Sequence, residues 1–321
     1  MTLPGPGVVL SFLFYLAIIG GAGLLLGRGA ESLLTRFSVK LTGGVILGFV
    51  ETLPEYIFAI IAVSKGSSQV ALGSAYGGNI VLFTLVFGLM ILSSGSKGAT
   101  SFGYKGSKSD IAILLFSSTL FLILLVGIHM VLVAGLSMIA LFGLFLVSVG
   151  PVGVEVSDAL TASDKHRSLV APLLLLVIAA ALIVAFIDPL LNSVEQLSTV
   201  TGISPILLSL IFVPLANELP ELFSSIKLYS SGENGRKAAV ASLLGSKIQS
   251  NTLLLGSVVL LASFLGNPIS VSGNSSKLSL YAMVATSYLG ALVVGRAKPS
   301  RRTGILLLLA YLLSSVGLLT F

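Results

Sequence analysis

Four glutamates stand in two similar motifs that have the chemistry of a cation site. Glu-Thr-Leu-Pro-Glu covers residues 51 to 55, and Asn-Glu-Leu-Pro-Glu covers residues 217 to 221. Carboxylate oxygens, and main-chain carbonyl oxygens freed beside a proline, are hard ligands that suit Ca²⁺, Na⁺ or protons and do not suit soft metals. The two motifs therefore predict a site for small cations.

The spacing within each motif places its two carboxylates together. Glu51 and Glu55 are four residues apart and Glu218 and Glu221 are three apart, so each pair lies on about one face of a helix. We expect Glu55 and Glu221 to be the metal ligands, with Glu218 and Glu51 beside them. The alternative is that one member of each pair lies at a helix end and is only solvated.

A proline precedes the last glutamate of each motif, at Pro54 and Pro220. A proline removes one helix hydrogen bond and leaves a carbonyl oxygen without its donor. In a membrane such an oxygen needs a new partner, and a broken helix that lines a cavity can offer it to an ion. We expect a helix break at both prolines.

Two further segments contribute small and polar residues. Leu-Gly-Ser-Ala-Tyr-Gly-Gly-Asn at 72 to 79 matches Leu-Gly-Ser-Lys-Ile-Gln-Ser-Asn at 244 to 251. Small residues allow helices to approach closely, which is also ordinary packing in membranes. Around the glutamates, the further cation-binding or supporting residues that we predict are Thr52, Asn217, Asn79, Ser250 and Asn251.

Lys247 places an ammonium group in the second of these segments, where Ala75 stands in the first. It is either an internal counterion of a carboxylate or a side chain that extends along the helix to the membrane interface. We favour the internal counterion, and the sequence leaves the other possibility open.

The composition places these residues in a membrane. Hydrophobic residues make up 55% of the chain, charged residues only 9%, and the mean hydropathy is +1.07, whereas soluble domains contain roughly 25% charged residues. Apolar runs of the length that crosses a bilayer predict ten spans, at 6 to 27, 39 to 64, 69 to 93, 110 to 129, 131 to 150, 169 to 190, 203 to 228, 238 to 264, 278 to 295 and 303 to 320.

The matching motifs divide the chain into repeats. They predict an all-α integral membrane protein in which ten transmembrane helices form two inverted five-helix repeats, at 1 to 150 and 169 to 321, joined by a linker at 151 to 168. Because five is odd, the second repeat enters the membrane from the opposite side. The glutamates of the second and seventh spans then meet near mid-membrane, as in secondary transporters.

The distribution of Lys and Arg predicts the orientation. Fifteen of the 18 lie in alternate connections, whereas the other connections hold Lys65 and Lys277. By the positive-inside rule, both termini lie outside a cell membrane and the linker 151 to 168 is cytoplasmic. Topology thus explains the net charge of +6, and the partners expected are the lipid bilayer and inorganic cations, not nucleic acid. The oligomeric state stays open.

These motifs resemble those of the calcium/cation antiporter superfamily, which includes sodium/calcium and proton/calcium exchangers. The resemblance implies that Glu55 and Glu221 bind Ca²⁺, and that the first and sixth helices slide past a fixed core to alternate access. It covers nearly the whole chain and is carried by Leu-Pro-Glu at 53 to 55 and 219 to 221, Gly-Ala-Glu at 29 to 31, and Gly-Ser at 73 to 74 and 245 to 246.

The chain departs from both branches of that family. Sodium-coupled members carry Thr-Ser before Leu-Pro-Glu, where this chain has Glu51 with Thr52 and Asn217 with Glu218. Proton-coupled members carry Gly-Asn-Ala-x-Glu in place of this motif. The resemblance thus implies H⁺ or Na⁺ as the coupling ion, and the several carboxylates slightly favour H⁺.

A second departure concerns one position in the third helix and one in the eighth. Sodium-coupled members have Asn or Asp one turn after the serine of the third and eighth helices, where this chain has Leu82 and Leu254. A sodium site copied from that pattern would lack these two ligands.

The sequence predicts a secondary active cation antiporter that exchanges Ca²⁺ for H⁺ or Na⁺ by alternating access, and not an enzyme. An antiporter of Mg²⁺, Mn²⁺ or K⁺ is the alternative, and a cation channel is less favoured. The chain has no cysteine and no His-Glu-x-x-His zinc motif. We expect no cofactor besides the transported ions.

Overall fold

The structure, a computed structural model, describes residues 5–34, 46–93, 108–149, 170–230, 232–267, 269–271, 273–295 and 299–319. These residues form helices and no strand. In chain order the helices are α1 Pro6–Leu34, α2 Ile46–Ser64, α3 Ser68–Val81, α4 Phe87–Ser93, α5 Lys108–Leu122, α6 Val131–Val149, α7 Val170–Thr201, α8 Pro205–Asn217, α9 Leu219–Ser230, α10 Glu233–Gln249, α11 Leu255–Phe264, α12 Asn274–Gly295 and α13 Arg301–Leu319.

Three π-helical turns continue these helices. Leu82–Val86 joins α3 to α4, Ile123–Gly127 extends α5, and Ser250–Leu254 joins α10 to α11. A π turn widens the helix by one residue and is frequent at functional sites. Two of the three lie at the ends of the segments that the sequence pairs: Leu82–Val86 begins shortly after 72 to 79, and Ser250–Leu254 overlaps the end of 244 to 251.

The helices are suited to a membrane. Eight of the described helices, counted across π turns, are long and apolar enough to span one; α8 and α9 form a further pair bent by 48°, and α2 is a shorter apolar helix. The chain is therefore a multi-pass α-helical membrane protein. The count of ten spans, the inverted repeat and the domain limits stay predictions, and the linker 151 to 168 lies outside the described residues.

Several predicted spans differ from the helices found. The first was expected to end at 27, but α1 continues to Leu34, and the eighth was expected to begin at 238, but α10 begins at Glu233. The sixth was expected to end at 190, but α7 continues to Thr201 because Leu191, Val194 and Leu197 keep an apolar stripe buried. The seventh, expected as one span, is two helices that meet at Glu218. The start of the second span, at 39 to 45, lies outside the described residues.

The proline motifs behave differently in the two halves. Near Pro220 the helix breaks, since α8 ends at Asn217 and α9 begins at Leu219. At Pro54 the predicted break is wrong: α2 runs unbroken through the proline. Loss of one hydrogen bond does not end a helix that neighbouring helices hold in place.

Burial separates a central layer from an outer one. In the spans Ser68–Ser93 and Gly235–Phe264, 83% and 67% of the apolar window is buried, compared with 17% in Arg301–Leu318. The outer helices turn large side chains such as Leu136, Val177 and Leu313 outward, where lipid suits them. Both segments that carry the candidate site therefore lie in the protein interior.

Glycines bring the central helices into backbone contact. A Cβ on Gly77 of α3 would overlap the main-chain oxygen of Leu210 in α8 and come within 2.6 Å of Pro214 Cγ. On the other side, a Cβ on Gly48 of α2 would lie 2.8 Å from the main-chain nitrogen of Ser246 in α10. Thus α8 packs on α3 and α2 packs on α10, which brings both glutamate motifs to the same interior.

The long helices α1 and α7 pack against each other and run antiparallel. Near the end of α1, a Cβ on Gly29 would lie 3.0 Å from the main-chain oxygen of Pro172, near the start of α7. Near the start of α1, the Tyr15 ring lies 6.2 Å from that of Phe186, farther along α7. This pair covers one side of the central layer.

Candidate cation site

Glu55 lies in the interior on α2. Its side chain is 1% exposed, and Ser250 on the π turn after α10 donates a hydrogen bond to its Oε2 at 3.1 Å. The neighbouring Tyr56 hydroxyl donates to the main-chain oxygen of Gln249 at 3.4 Å, which also ties α2 to this helix. Among the described residues, Glu55 Oε1 has no hydrogen-bond partner, so it is available to a ligand.

Glu221 approaches from the other motif. It is fully buried on the first turn of α9, and Ser246 of α10 donates a hydrogen bond to its Oε2 at 2.9 Å. Ser246 in α10 and Ser250 in the π turn that continues it are four residues apart, so they lie on one face of this continuous helix. That face therefore holds both glutamates that the sequence predicts as metal ligands.

Glu218 lies between these two carboxylates, in the turn that separates α8 from α9. It is 4% exposed and interacts electrostatically with Glu55 and Glu221. Buried carboxylates close to one another repel when all are ionised, and either a cation or a proton relieves that repulsion. The chemistry of the site therefore suits protons as well as metal ions.

Gly78 on α3 provides the space in which two of these carboxylates meet. A Cβ there would overlap Glu55 Oε1 and would lie 2.8 Å from Glu218 Oε1. Any side chain at residue 78 would occupy the position of the carboxylates. The glycine, which is also suited to plain packing, is therefore part of the wall of the site.

Two amides offer neutral oxygens beside the carboxylates. Asn79 follows Gly78 and donates through Nδ2 to the main-chain oxygen of Ala75, while its Oδ1 has no hydrogen-bond partner in the described structure. Asn217 precedes Glu218 and is buried. Among the described residues, neither its Nδ2 nor its Oδ1 has a hydrogen-bond partner. Buried amide atoms are normally satisfied, which suggests that a ligand completes them.

Lys247 lies within the bundle and does not extend to the interface. It is fully buried, and its Nζ donates a 2.6 Å hydrogen bond to the main-chain oxygen of Asn79 and lies 5.2 Å from the centre of the Phe83 ring. It interacts electrostatically with Glu55 and Glu218. The structure thus places it next to the carboxylates, and its role as their counterion stays a prediction.

Three predicted residues are placed less directly. Asn251 donates through Nδ2 to Ser118 Oγ on α5 at 2.6 Å, and its Oδ1 has no hydrogen-bond partner in the described structure. Thr52 donates to Gly48 O in its own helix at 3.0 Å. The side chain of Glu51 lies outside the described part of the structure, so its role stays a prediction.

Sequence reasoning did not select Ser246 or Gly78 as site residues. The signal for Ser246 was its spacing of four from Ser250, which places the two hydroxyls on one helix face. Gly78 gave no signal beyond that of a packing glycine, because its role depends on the arrival of α2 and Glu218 from other parts of the chain.

The carboxylates do not form a dense metal cage. Within the described ranges, no three acidic, histidine or cysteine side chains converge as ligands of one ion. A cation would instead take one or two carboxylates together with amide, hydroxyl or water oxygens. Mixed oxygen sets of this kind are usual for Ca²⁺.

Comparison with known proteins gives the family. The sequence profile described as "Sodium/calcium exchanger protein" matches residues 7–150 and 171–320. The chain belongs to the sodium/calcium exchanger family. Members of this family are membrane transporters and not enzymes, so the protein is a cation antiporter of that family. The resemblance predicted from the motifs is confirmed.

Relatives of this exchanger-family protein agree with that assignment. Inner membrane protein YrbG of Escherichia coli (strain K12) is 24% identical, over 87% of this chain and 86% of that protein. The structure titled H⁺/Ca²⁺ exchanger CAX has a TM-score of 0.73 at 18% identity and covers 98% of this chain and 86% of its own. The similarity to solved structures shows a shared fold.

Two other solved structures are also similar in fold. The Ca²⁺/H⁺ antiporter protein YfkE has a TM-score of 0.74 at 18% identity, with 99% of this chain and 93% of that chain covered. The sodium-calcium exchanger NCX_Mj has a TM-score of 0.59 at 20% identity, with 97% of each chain covered. The chain spans nearly the full length of all these relatives.

Proposed function

We propose that this antiporter exchanges Ca²⁺ for H⁺, with Glu55 and Glu221 as ligands of the divalent ion and Glu218 as a third carboxylate that binds protons. The observation that carries the proposal is that both motif glutamates accept hydrogen bonds from one face of α10, at Ser250 and Ser246. Relatives titled as H⁺/Ca²⁺ and sodium-calcium exchangers supply Ca²⁺ as the substrate to test first.

Two features support H⁺ over Na⁺ as the coupling ion. Glu218 is buried next to the carboxylates of Glu55 and Glu221, and a proton on one of the three relieves the repulsion among like charges. Leu82 and Leu254 are fully buried in the π turns that continue α3 and α10. These apolar side chains offer no oxygen at positions where the family resemblance would place sodium ligands.

The proposed cycle follows from competition for the same carboxylates. When Ca²⁺ binds, a proton held by one of these carboxylates must leave, because that carboxylate then faces a divalent ion. When Ca²⁺ is released, protons replace it and neutralise the buried charges, which would otherwise be costly in the membrane interior. Movement of α1 and α7 against the central helices would expose the site to either side in turn.

The test is uptake of ⁴⁵Ca²⁺ into proteoliposomes that contain the purified protein. We expect uptake when the vesicle interior is more acidic than the medium, and none when the proton gradient is collapsed or when Glu221→Gln replaces the wild type. A Na⁺ gradient in matched vesicles tests the other coupling ion, and unlabelled Mg²⁺, Mn²⁺ or K⁺ tests other substrates. Absence of uptake with either gradient would refute Ca²⁺ exchange.

A further inference from the structure

Two buried serines close to the carboxylates have hydroxyl groups without a partner. Ser74 on α3 and Ser225 on α9 are fully buried, and among the described residues neither Oγ atom has a hydrogen-bond partner. Other buried serines donate to a carbonyl oxygen of their own helix, as Ser287 does to Met283 at 2.8 Å. A buried hydroxyl left without a partner is costly, which indicates that a ligand completes these two.

Each of these hydroxyl groups lies one helical turn from the carboxylates. Ser74 is four residues before Gly78, which borders two of the carboxylates. Ser225 is four residues after Glu221. Residues four apart lie on the same face of a helix, about 6 Å apart along its axis. Both serines are therefore on the helix faces that form the site, one turn beyond its carboxylates.

The two serines lie on opposite sides of the carboxylates. A Cβ on Gly73 of α3 would meet the main-chain oxygen of Ile206 in α8. One turn farther along both helices, a Cβ on Gly77 would meet the main-chain oxygen of Leu210. Thus α3 and α8 run in the same direction, and α9 continues it with a bend of 48°. Along this direction, the serine of α3 comes before the carboxylates and the serine of α9 comes after them.

We propose that Ser74 and Ser225 are further ligands of the transported cation, each of which binds it between the carboxylates and one side of the membrane. The inference rests on the proposed function, since it concerns the path to the same carboxylates. Hydroxyl groups are hard oxygen donors, the kind of ligand that Ca²⁺ takes. With the orientation predicted from Lys and Arg, Ser74 serves the outer side and Ser225 serves the cytoplasmic side.

The experiment measures ⁴⁵Ca²⁺ uptake against Ca²⁺ concentration in right-side-out and in everted membrane vesicles, with vesicles from cells that lack the protein as the background. In Ser74→Ala we expect the half-saturating Ca²⁺ concentration to rise about tenfold in right-side-out vesicles and to stay at the wild-type value in everted ones. Ser225→Ala should show the reverse. Ser287→Ala in α12 is the control, since its hydroxyl already donates within its own helix.

Cysteine variants test the same two contacts by a change of ligand chemistry. Ser74→Cys and Ser225→Cys keep nearly the size of the side chain and replace a hard oxygen with a soft sulfur, and the chain has no other cysteine. We expect Cd²⁺ to inhibit each variant at a concentration about tenfold lower than it does wild type or Ser287→Cys. A serine needed only for packing would not create a Cd²⁺ site.

The inference is overturned if either alanine variant keeps the wild-type half-saturating concentration on both sides, if the two variants affect the same side, or if Cd²⁺ inhibits the cysteine variants no better than wild type. The cysteine measurement decides if an alanine variant fails to fold. Wild type that takes up no ⁴⁵Ca²⁺ with either ion gradient would refute the proposed function and the inference together. Active exchange without the expected responses of the variants would refute the inference alone.

Discussion

Gly78 is the residue on which two buried carboxylates converge. Any other residue at this position would place a Cβ against Glu55 Oε1 and Glu218 Oε1. The glycine thus has a role in the site and not only in helix packing. The position is defined by three segments that are distant in the sequence.

Gly78→Ala should weaken ion binding because its methyl group displaces both carboxylates. We expect at least a tenfold loss of Ca²⁺ affinity, or about 1.4 kcal/mol, measured by calorimetry on purified protein. Gly21→Ala is the matched control, since a Cβ there meets nothing within 4 Å. Equal Ca²⁺ affinities of the two variants would show that the carboxylates do not depend on this glycine.

At this scale the sequence predicted the charged residues better than the neutral ones. A carboxylate within an apolar span needs a partner or an ion, so Glu55, Glu218 and Glu221 could be selected without a structure. Serine and glycine are ordinary in membrane helices. Ser246 and Gly78 therefore became site residues only once α2, α3, α9 and α10 were placed together.

Helix α10 is the element that assembles the site. It contacts Glu55 through Ser250 and Glu221 through Ser246, and it carries Lys247 between them. The pairing of α2 with α10 is matched by the pairing of α8 with α3, where glycines allow backbone contact. The geometry of the site thus depends on these two close helix pairs.

Gly77→Ala should separate α3 from α8 and destabilise the protein. Its Cβ would overlap the main-chain oxygen of Leu210, and overpacking of this kind costs typically 1–3 kcal/mol. We expect a lower midpoint of thermal unfolding in detergent. Gly143→Ala in α6 is the control, since its Cβ meets open space and alanine favours a helix. Equal midpoints in the two variants would contradict the close packing of α3 on α8.

The ends of the helices could be predicted where the length of the apolar run determines them. They could not be predicted where packing against other helices determines them. The bend at Glu218 was expected from Pro220, but the same rule failed at Pro54, where α2 continues. The extension of α7 to Thr201 depends on buried contacts of Leu191 and Leu197 beyond the predicted span. Predictions made from a single proline or from local hydropathy take no account of packing against neighbouring helices.

At the scale of the whole molecule, the antiparallel packing of α1 and α7 supports the predicted inverted repeat. These helices would be the first of each repeat, and inversion requires that they cross the membrane in opposite directions. The orientation of the protein in its membrane stays a prediction from the Lys and Arg distribution.

Single cysteines test the predicted orientation, because the chain has none of its own. Asn274→Cys should react with a membrane-impermeant maleimide added to intact cells, whereas Arg301→Cys should react only after the membrane is opened. Both positions are exposed in the structure. The reverse pattern would place the termini and the linker 151 to 168 on the opposite sides.

The central proposal is that Glu55 binds the transported ion in the same site as Glu221. Calorimetric measurement of Ca²⁺ binding tests this most directly. Glu55→Gln keeps the size of the side chain and removes its charge, so we predict at least a tenfold lower Ca²⁺ affinity, about 1.4 kcal/mol. Glu195→Gln, an exposed position on α7, should bind like wild type. Wild-type affinity in Glu55→Gln would contradict the account.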